Sequence, residues 1–169
     1  CAALTFCGGS TRDVSGYPTT EMTLFTERED LIAVFEYVQS DTRVIRDQMF
    51  LFGGSQGGLV SALAAAELKS LVKGLILLYP AFMIPDNWRN SFKTIEEIPE
   101  EEEFWGLTLG KKFFVDMRDL KVYDVIGNYE GPVLILQGSE DEIATTGTAE
   151  MGMKCYKDCK MELFIGEPH

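Results

Sequence analysis

Histidine is almost missing from this chain. His169 is the only one among 169 residues, so any chemistry that needs an imidazole must run through it. Cysteine is sparse: Cys1, Cys7, Cys155 and Cys159 form no Cys-x-x-Cys pair. Cys155 and Cys159 stand four apart on an expected helix, which would put two ligands on one face. No histidine or further cysteine lies near enough to complete a metal site, and all four read as reduced thiols. That favours a reducing compartment, and a cytoplasmic location is expected. No apolar run approaches the roughly 18 residues that a membrane span needs. Basic residues are in deficit, 15 Lys and Arg against 27 Asp and Glu, for a net charge of −12. This excludes nucleic acid and anionic membrane surfaces as expected partners. Much of the acid is local, at Glu96, Glu97 and Glu100 to Glu103, and reads as a solvated face.

What is present is enough apolar residue for one core of ordinary size, and residues 1–169 read as a single domain. The chain opens inside an expected strand and stops at His169, so it reads as a piece truncated at both ends. Ala2 to Phe6 is expected as a short buried strand, ended by Gly8-Gly9-Ser10. Thr26-x-x-Glu29 has the form of a capping box and opens a helix with Leu31, Val34, Phe35 and Val38 at helical spacing. Met49 to Phe52 is an apolar strand. Gly74 to Tyr79, Val133 to Gln137 and Met161 to Ile165 are three more, and a helix is expected around Thr146 to Lys157. Strands alternating with helices imply a mostly parallel sheet with helices on both faces, an α/β fold.

The stretch from about 82 to 119 breaks this rhythm. It carries Phe82, Trp88, Phe92, Phe104, Trp105, Phe113 and Phe114, and a hairpin is expected from Phe104 to Val115, turning at Gly110. It reads as a small lid insertion over the carboxyl ends of the strands, where sheets of this class bind ligands. It returns through a helix expected near Arg118 to Tyr129. Phe104 and Trp105 are the first candidates for pocket walls.

The centre of the sequence is Phe52-Gly-Gly-Ser-Gln-Gly-Gly-Leu59. An apolar strand precedes it and Leu59 to Leu68, rich in helix formers, follows. Gly53-x-Ser55-x-Gly57 therefore sits where a strand turns sharply into a helix, the context of a nucleophile elbow. Gly53 and Gly57 have no Cβ to clash in that turn, and Gly58 lets the helix lie close to the sheet. A serine hydroxyl is a weak nucleophile at neutral pH and needs a base, which in turn needs an orienting acid. The base can only be His169, set by Gly166-Glu-Pro168 just beyond the last strand. The acid should leave a neighbouring strand end. Asp141, in Gly138-Ser-Glu-Asp141, is preferred, with Glu140 and Glu142 as rivals. The order Ser55, Asp141, His169 is that of α/β hydrolases.

On these residues the chain resembles the serine esterase group of the α/β hydrolases, and most of all the cinnamoyl and feruloyl esterases of gut bacteria. The motifs are Phe6-Cys-Gly-Gly-Ser10, Leu51-Phe-Gly-Gly-Ser-Gln-Gly-Gly58, Leu77-Leu-Tyr-Pro-Ala81, Leu107-Thr-Leu-Gly110, Val133-Leu-Ile-Leu-Gln-Gly-Ser-Glu-Asp141 and Phe164-Ile-Gly-Glu-Pro-His169. The resemblance implies Ser55 as nucleophile, His169 as base, Asp141 as its partner and an insertion that shapes the acyl pocket. It also implies more chain upstream, including a His-Gly loop that supplies one oxyanion donor and a strand between Ala2–Phe6 and Met49–Phe52. No ladder is therefore expected between those two segments. The donor that remains is the backbone N–H of Gln56, the residue after Ser55.

The resulting expectation is an ester hydrolase working through an acyl-enzyme on a small-molecule ester, with no metal or organic cofactor. The aromatic insertion suits a flat acyl group, since rings stack with offset, and its glutamates repel anionic acids. Feruloyl or other cinnamoyl esters are expected as substrates. An acylglycerol lipase, a serine peptidase of the same fold, or a catalytically silent binding protein are the alternatives.

Overall fold

The computed structural model describes residues 2–4, 6 and 16–169. Cys1, Cys7 and the Gly8-Gly9-Ser10 turn lie outside the described residues. In chain order the elements are α1 (Leu24–Ser40), β1 (Phe50–Gly54), α2 (Ser55–Leu68), β2 (Gly74–Leu78), α3 (Ile84–Ser91), β3 (Glu101–Phe104), β4 (Leu107–Gly110), α4 (Lys111–Asp116), α5 (Val122–Ile126), β5 (Val133–Gly138), α6 (Thr146–Met153) and β6 (Cys159–Phe164).

Four parallel strands form the main sheet in the order β1-β2-β5-β6. Their registers put Leu51, Leu75 and Val133 on one rung and Gly53, Leu77 and Ile135 two rungs on, all on one face. The leucines, Val133 and Ile135 on that face are buried. Helix α2 packs across β1 and β2, α6 across β5 and β6, α5 bridges α2 and α6, and α1 lies against α2. The parallel sheet with helices packed against it is the α/β fold expected from the alternating strands and helices. On the other face Phe50 and Phe52 are 55% and 62% exposed. Helix α2 is apolar on nearly every side because it is covered on nearly every side: Leu59, Val60, Ala62, Leu63, Ala64 and Ala65 are all buried.

Several boundaries differ from expectation, each for a local reason. Helix α1 is capped by Thr23, three residues before the Thr26 of the expected box. The Thr23 hydroxyl accepts from the Thr26 N–H at 3.1 Å, and the Thr26 hydroxyl accepts from the Thr23 N–H at 2.9 Å. Thr-x-x-Thr thus closes the reciprocal pair one turn earlier than Thr-x-x-Glu would. The described residues of the first segment, Ala2 to Leu4 and Phe6, join no strand, and Ala2 and Ala3 are exposed. Among the described residues strand β1 takes its ladder from β2 alone, and a groove lined by Leu4, Phe35, Met49 and Leu51 lies beside it. At the far edge, β6 pairs with β5 from Val133↔Cys159 to Gly138↔Phe164. Matching the length of β5 draws Cys159 into the strand, and α6 stops at Met153. Cys155 and Cys159 therefore share no helix.

Between β2 and β5 the chain builds α3, the β3–β4 hairpin and α4 around an aromatic cluster. Trp88 packs edge-on to Phe114 at 4.7 Å and to Phe104 at 5.3 Å between ring centroids. The hairpin turns at Trp105-Gly106, not at Gly110. Both turn residues have positive φ, 51° and 78°, as a two-residue primed turn requires. Gly110 serves another end: a Cβ there would stand 2.1 Å from the Thr20 carbonyl oxygen, so only glycine lets the short 3₁₀ turn Thr19–Glu21 approach. The helix expected from Arg118 to Tyr129 is the single short α5. Among the described residues no helix is long and apolar enough to cross a membrane.

Candidate active site

Ser55 is the first residue of α2, directly after β1. Its φ is 51°, in the left-handed region that a serine enters only under constraint. The constraint is visible around it. A Cβ on Gly53 would stand 2.2 Å from the Gly57 carbonyl oxygen and 2.5 Å from the Ser61 hydroxyl, and one on Gly58 would stand 3.1 Å from Pro80 Cα. Strand and helix nearly touch, and the Ala81 N–H ties down the Ser55 carbonyl at 3.0 Å. The expectation for Gly57 is corrected: a Cβ there meets nothing within 4 Å, because it points into open space.

Asp141 and His169 come from the loops that follow β5 and β6. The loop after β6 bends at Gly166 (φ 82°) and folds back over the loop after β5. The Ser139 hydroxyl accepts from the Gly166 N–H at 2.9 Å, and the Glu140 N–H donates to the Glu167 carbonyl at 3.0 Å. Gly138 permits this crossing, since a Cβ would lie 2.2 Å from the Glu167 oxygen. His169 thereby reaches both partners. Its Nδ1 lies 2.8 Å from Asp141 Oδ2, and its Nε2 lies 3.0 Å from the Ser55 hydroxyl. With the proton on Nδ1, the imidazole donates to the carboxylate and accepts from the serine.

Asp141 is buried while its rivals Glu140 and Glu142 are exposed. Its Oδ1 accepts from the N–H groups of Ile143 and Ala144 at 2.9 and 2.8 Å. Burial alone would raise its pKa. The hydrogen bond with His169, then those from Ala144 and Ile143, outweigh burial and hold the carboxyl below its ordinary range. The group is thus an acceptor for the imidazole at neutral pH.

A cavity of about 550 Å³ opens beside Ser55 and is walled by Trp88, Phe104, Trp105, Leu109 and Phe113. Phe104 and Trp105 stack on each other at 5.0 Å, and Phe104 also belongs to the aromatic cluster around Trp88, so this wall is continuous with the packing of the segment. Gln56 lines the cavity as the second residue of α2, where backbone N–H groups have no intrahelical acceptor. Among the described residues, no three His, Cys, Asp or Glu side chains converge as metal ligands.

Three residues of the site escape a reading of the sequence. Tyr79 (φ 36°) puts its ring 4.4 Å from that of His169 and 3.5 Å from where a Cβ of Gly54 would stand. Gln137, buried, donates to the Ala144 carbonyl at 2.8 Å and sits 3.3 Å from Asp141 Oδ2. Its signal was available, as the one polar side chain in the run Val133 to Gln137. Glu27, on α1, accepts from the Gln56 side chain at 2.8 Å, and nothing near it in sequence points there.

A model of the prolyl oligopeptidase family matches residues 25–160. Among solved structures, Est1E from Butyrivibrio proteoclasticus with ferulic acid bound aligns at 30% identity and a TM-score of 0.86, over 97% of this chain and 66% of that one. Another structure of Est1E aligns at 34% identity and a TM-score of 0.81, over 88% of this chain and 63% of that one. This chain thus spans slightly under two thirds of the Est1E chains. Alpha/beta hydrolase domain-containing protein 10 from mouse aligns at 18% identity and a TM-score of 0.65, over 88% of this chain and 62% of that one, a likeness of fold. No curated protein sequence matches the chain.

Proposed function

The chain belongs to the prolyl oligopeptidase family of α/β hydrolases, and from that premise we propose that it carries the reacting residues of a serine carboxylic-ester hydrolase acting on aromatic esters. The observation that carries this reading is the unbroken hydrogen-bonded series Asp141, His169, Ser55 beside an aromatic-walled cavity. In the proposed reaction His169 Nε2 takes the Ser55 proton as the hydroxyl oxygen attacks the ester carbonyl. The carbonyl oxygen becomes an oxyanion held by the Gln56 N–H and by a second donor from outside this chain. His169 then gives its proton to the departing alcohol, leaving an acyl-serine. Water, deprotonated by His169, attacks the acyl-serine, and the free acid leaves as Ser55 regains its proton. Asp141 keeps the imidazole in the productive tautomer and stabilises its cationic form.

The aromatic acyl preference is supported by the ring-lined cavity and by likeness to a protein solved with ferulic acid. A peptidase reading is favoured by one specific observation, the name of the matching family. The full-length protein separates these. Labelling by a fluorophosphonate, abolished in Ser55→Ala, is expected of either enzyme, and no labelling would leave only the silent binding protein. Among labelled outcomes, kcat/KM is compared for methyl ferulate, methyl butyrate and a proline p-nitroanilide. Preference for ferulate is expected. Preference for butyrate points to a lipase-like esterase, and preference for the anilide to a peptidase.

A further inference from the structure

Two carboxyl groups are buried among the described residues, Asp141 and Glu27. Asp141 has the imidazole as partner, whereas Glu27 has the uncharged amide of Gln56 and, among the described residues, no cation paired with it. It lies in the first turn of α1, 3% exposed, and its Oε2 accepts from Gln56 Nε2 at 2.8 Å. The same amide nitrogen also donates to the Met22 sulfur at 3.9 Å. Met22, Glu27, Ser55 and Gln56 together form one end of the cavity. A structural α1–α2 contact at this depth needs only apolar side chains, and burying a carboxyl instead carries a desolvation cost.

We propose that Glu27 is a positioning residue for acyl transfer, acting through Gln56: the Glu27–Gln56 hydrogen bond ties α1 to the first turn of α2 and so aims the Gln56 backbone N–H at the substrate carbonyl oxygen. This rests on the serine-hydrolase reading above. An oxyanion donor works only within about 2.7–3.1 Å of the developing charge, so a small rotation of the elbow is costly. The charge state of Glu27 enters as well. Burial, opposed by the Gln56 hydrogen bond and helped by Asp30, pushes its pKa up to about 7. When neutral, it holds Gln56 without adding charge. When ionised, it brings a negative charge to the cavity in which the oxyanion forms. Asp30, one turn along α1, is the other charged group acting on it. From α2 it meets the uncharged Gln56, and the cavity that it lines also takes Ser55 from α2 and the apolar Leu109 and Phe113 from β4 and α4.

The test is single-turnover acylation of the full-length protein by p-nitrophenyl acetate from pH 5.5 to 8.5, in wild type, Glu27→Gln and Glu27→Ala. Glu27→Gln keeps an acceptor for Gln56 and removes the charge. The ratio of its rate to that of wild type is expected to rise about threefold from pH 5.5 to pH 8.5, with an inflection near 7. Glu27→Ala is expected to lose about tenfold in acylation rate with KM little changed. A ratio of Glu27→Gln to wild type that stays flat with pH overturns the proposal, as does a folded Glu27→Ala that acylates at the wild-type rate. Should Glu27→Ala not fold, the Glu27→Gln ratio alone decides. Fluorophosphonate labelling keeps the two readings apart: an unlabelled wild type sinks the serine-hydrolase reading itself, while normal labelling with a flat ratio sinks only the role of Glu27.

Discussion

Ser55 and Trp105 share one backbone anomaly and almost nothing else. Each is a non-glycine residue with φ at 51°, a conformation that costs about 1–2 kcal/mol against an ordinary one. At Ser55 the surroundings leave no alternative. Gly53 and Gly58 are pressed against backbone, the Ser55 carbonyl is tied to Ala81, and the hydroxyl is held by His169. At Trp105 the strain rests on a four-rung hairpin and one stacking contact with Phe104, and the side chain is 69% exposed. The lesson is that equal local strain means different things. At the elbow it is over-determined by packing, while at the hairpin tip it persists with little to enforce it, which makes the identity of the side chain the informative feature.

The largest effect that this contrast implies is at the elbow's partners, where any change should fall on all substrates alike. Asp141→Asn preserves the shape of the buried side chain but presents an amide to His169 and stabilises the wrong tautomer. On the proposed mechanism kcat drops about 10⁴-fold for acetate, butyrate and ferulate esters equally, with a near-native circular dichroism spectrum. A loss confined to ferulate would break the contrast, because it would give the elbow side a role in acyl selection.

Packing at the elbow can be probed within five residues. Gly53→Ala drives a Cβ into the Gly57 carbonyl, a backbone atom that cannot step aside. A loss of about 3 kcal/mol is expected, read as a lower midpoint in urea unfolding. Gly57→Ala meets open space and exchanges glycine for a better helix former. It is expected to hold or gain up to about 1 kcal/mol. Equal losses at both positions would show that the turn tolerates no side chain on either flank of the serine.

Glu27 gives a third probe, with a sign set by its titration. Its folded-state pKa is raised from 4.5 to about 7, so the folded chain binds that proton more tightly than the unfolded one. The associated stability is complete below about pH 4.5 and is lost as the pH rises to about 7. Glu27→Gln does not titrate. Its stability relative to wild type should therefore climb across that window, by at most about 3 kcal/mol, and level off above it. Denaturant midpoints at pH 4.5, 6 and 8 would check this, and a difference that does not change with pH would contradict it.

The sequence was most legible where one short stretch determines its own structure. The strand–turn–helix around Ser55 and the glycines of the loops at Asp141 and His169 are local signals, and these three residues are the ones the structure brings within hydrogen-bond distance. The parallel sheet followed from apolar runs for the same reason. Glu27 was not legible, because it meets Gln56 from 29 positions away and helix periodicity does not say which polar residue faces a neighbouring helix. The hairpin turn was misplaced because Gly110 carries the stronger turn signal, yet it is a glycine for the sake of Thr20, a contact made only in the folded chain.

The smallest expected effect is at the hairpin tip, and it has two readouts, one of which should barely move. Asn-Gly is the favoured pair for a two-residue turn with positive φ at both positions, since asparagine enters the left-handed region readily. Trp105→Asn therefore relieves backbone strain while giving up little burial and one stacking contact with Phe104, worth about 0.5–1.5 kcal/mol. The net change in stability should lie within about 1 kcal/mol of zero, with the strain relief offsetting the lost stacking. Activity should not be so balanced. If Trp105 is kept in a strained turn because its ring walls the acyl cavity, kcat/KM for methyl ferulate falls about tenfold in Trp105→Asn, while that for methyl acetate, whose acyl group does not reach the ring, stays put. A variant that loses ferulate and acetate activity together would assign Trp105 to the packing of the segment. One that loses neither would leave the strained tryptophan without a part in substrate choice, and acyl selection would have to be credited to the remaining walls, Trp88, Phe104, Leu109 and Phe113.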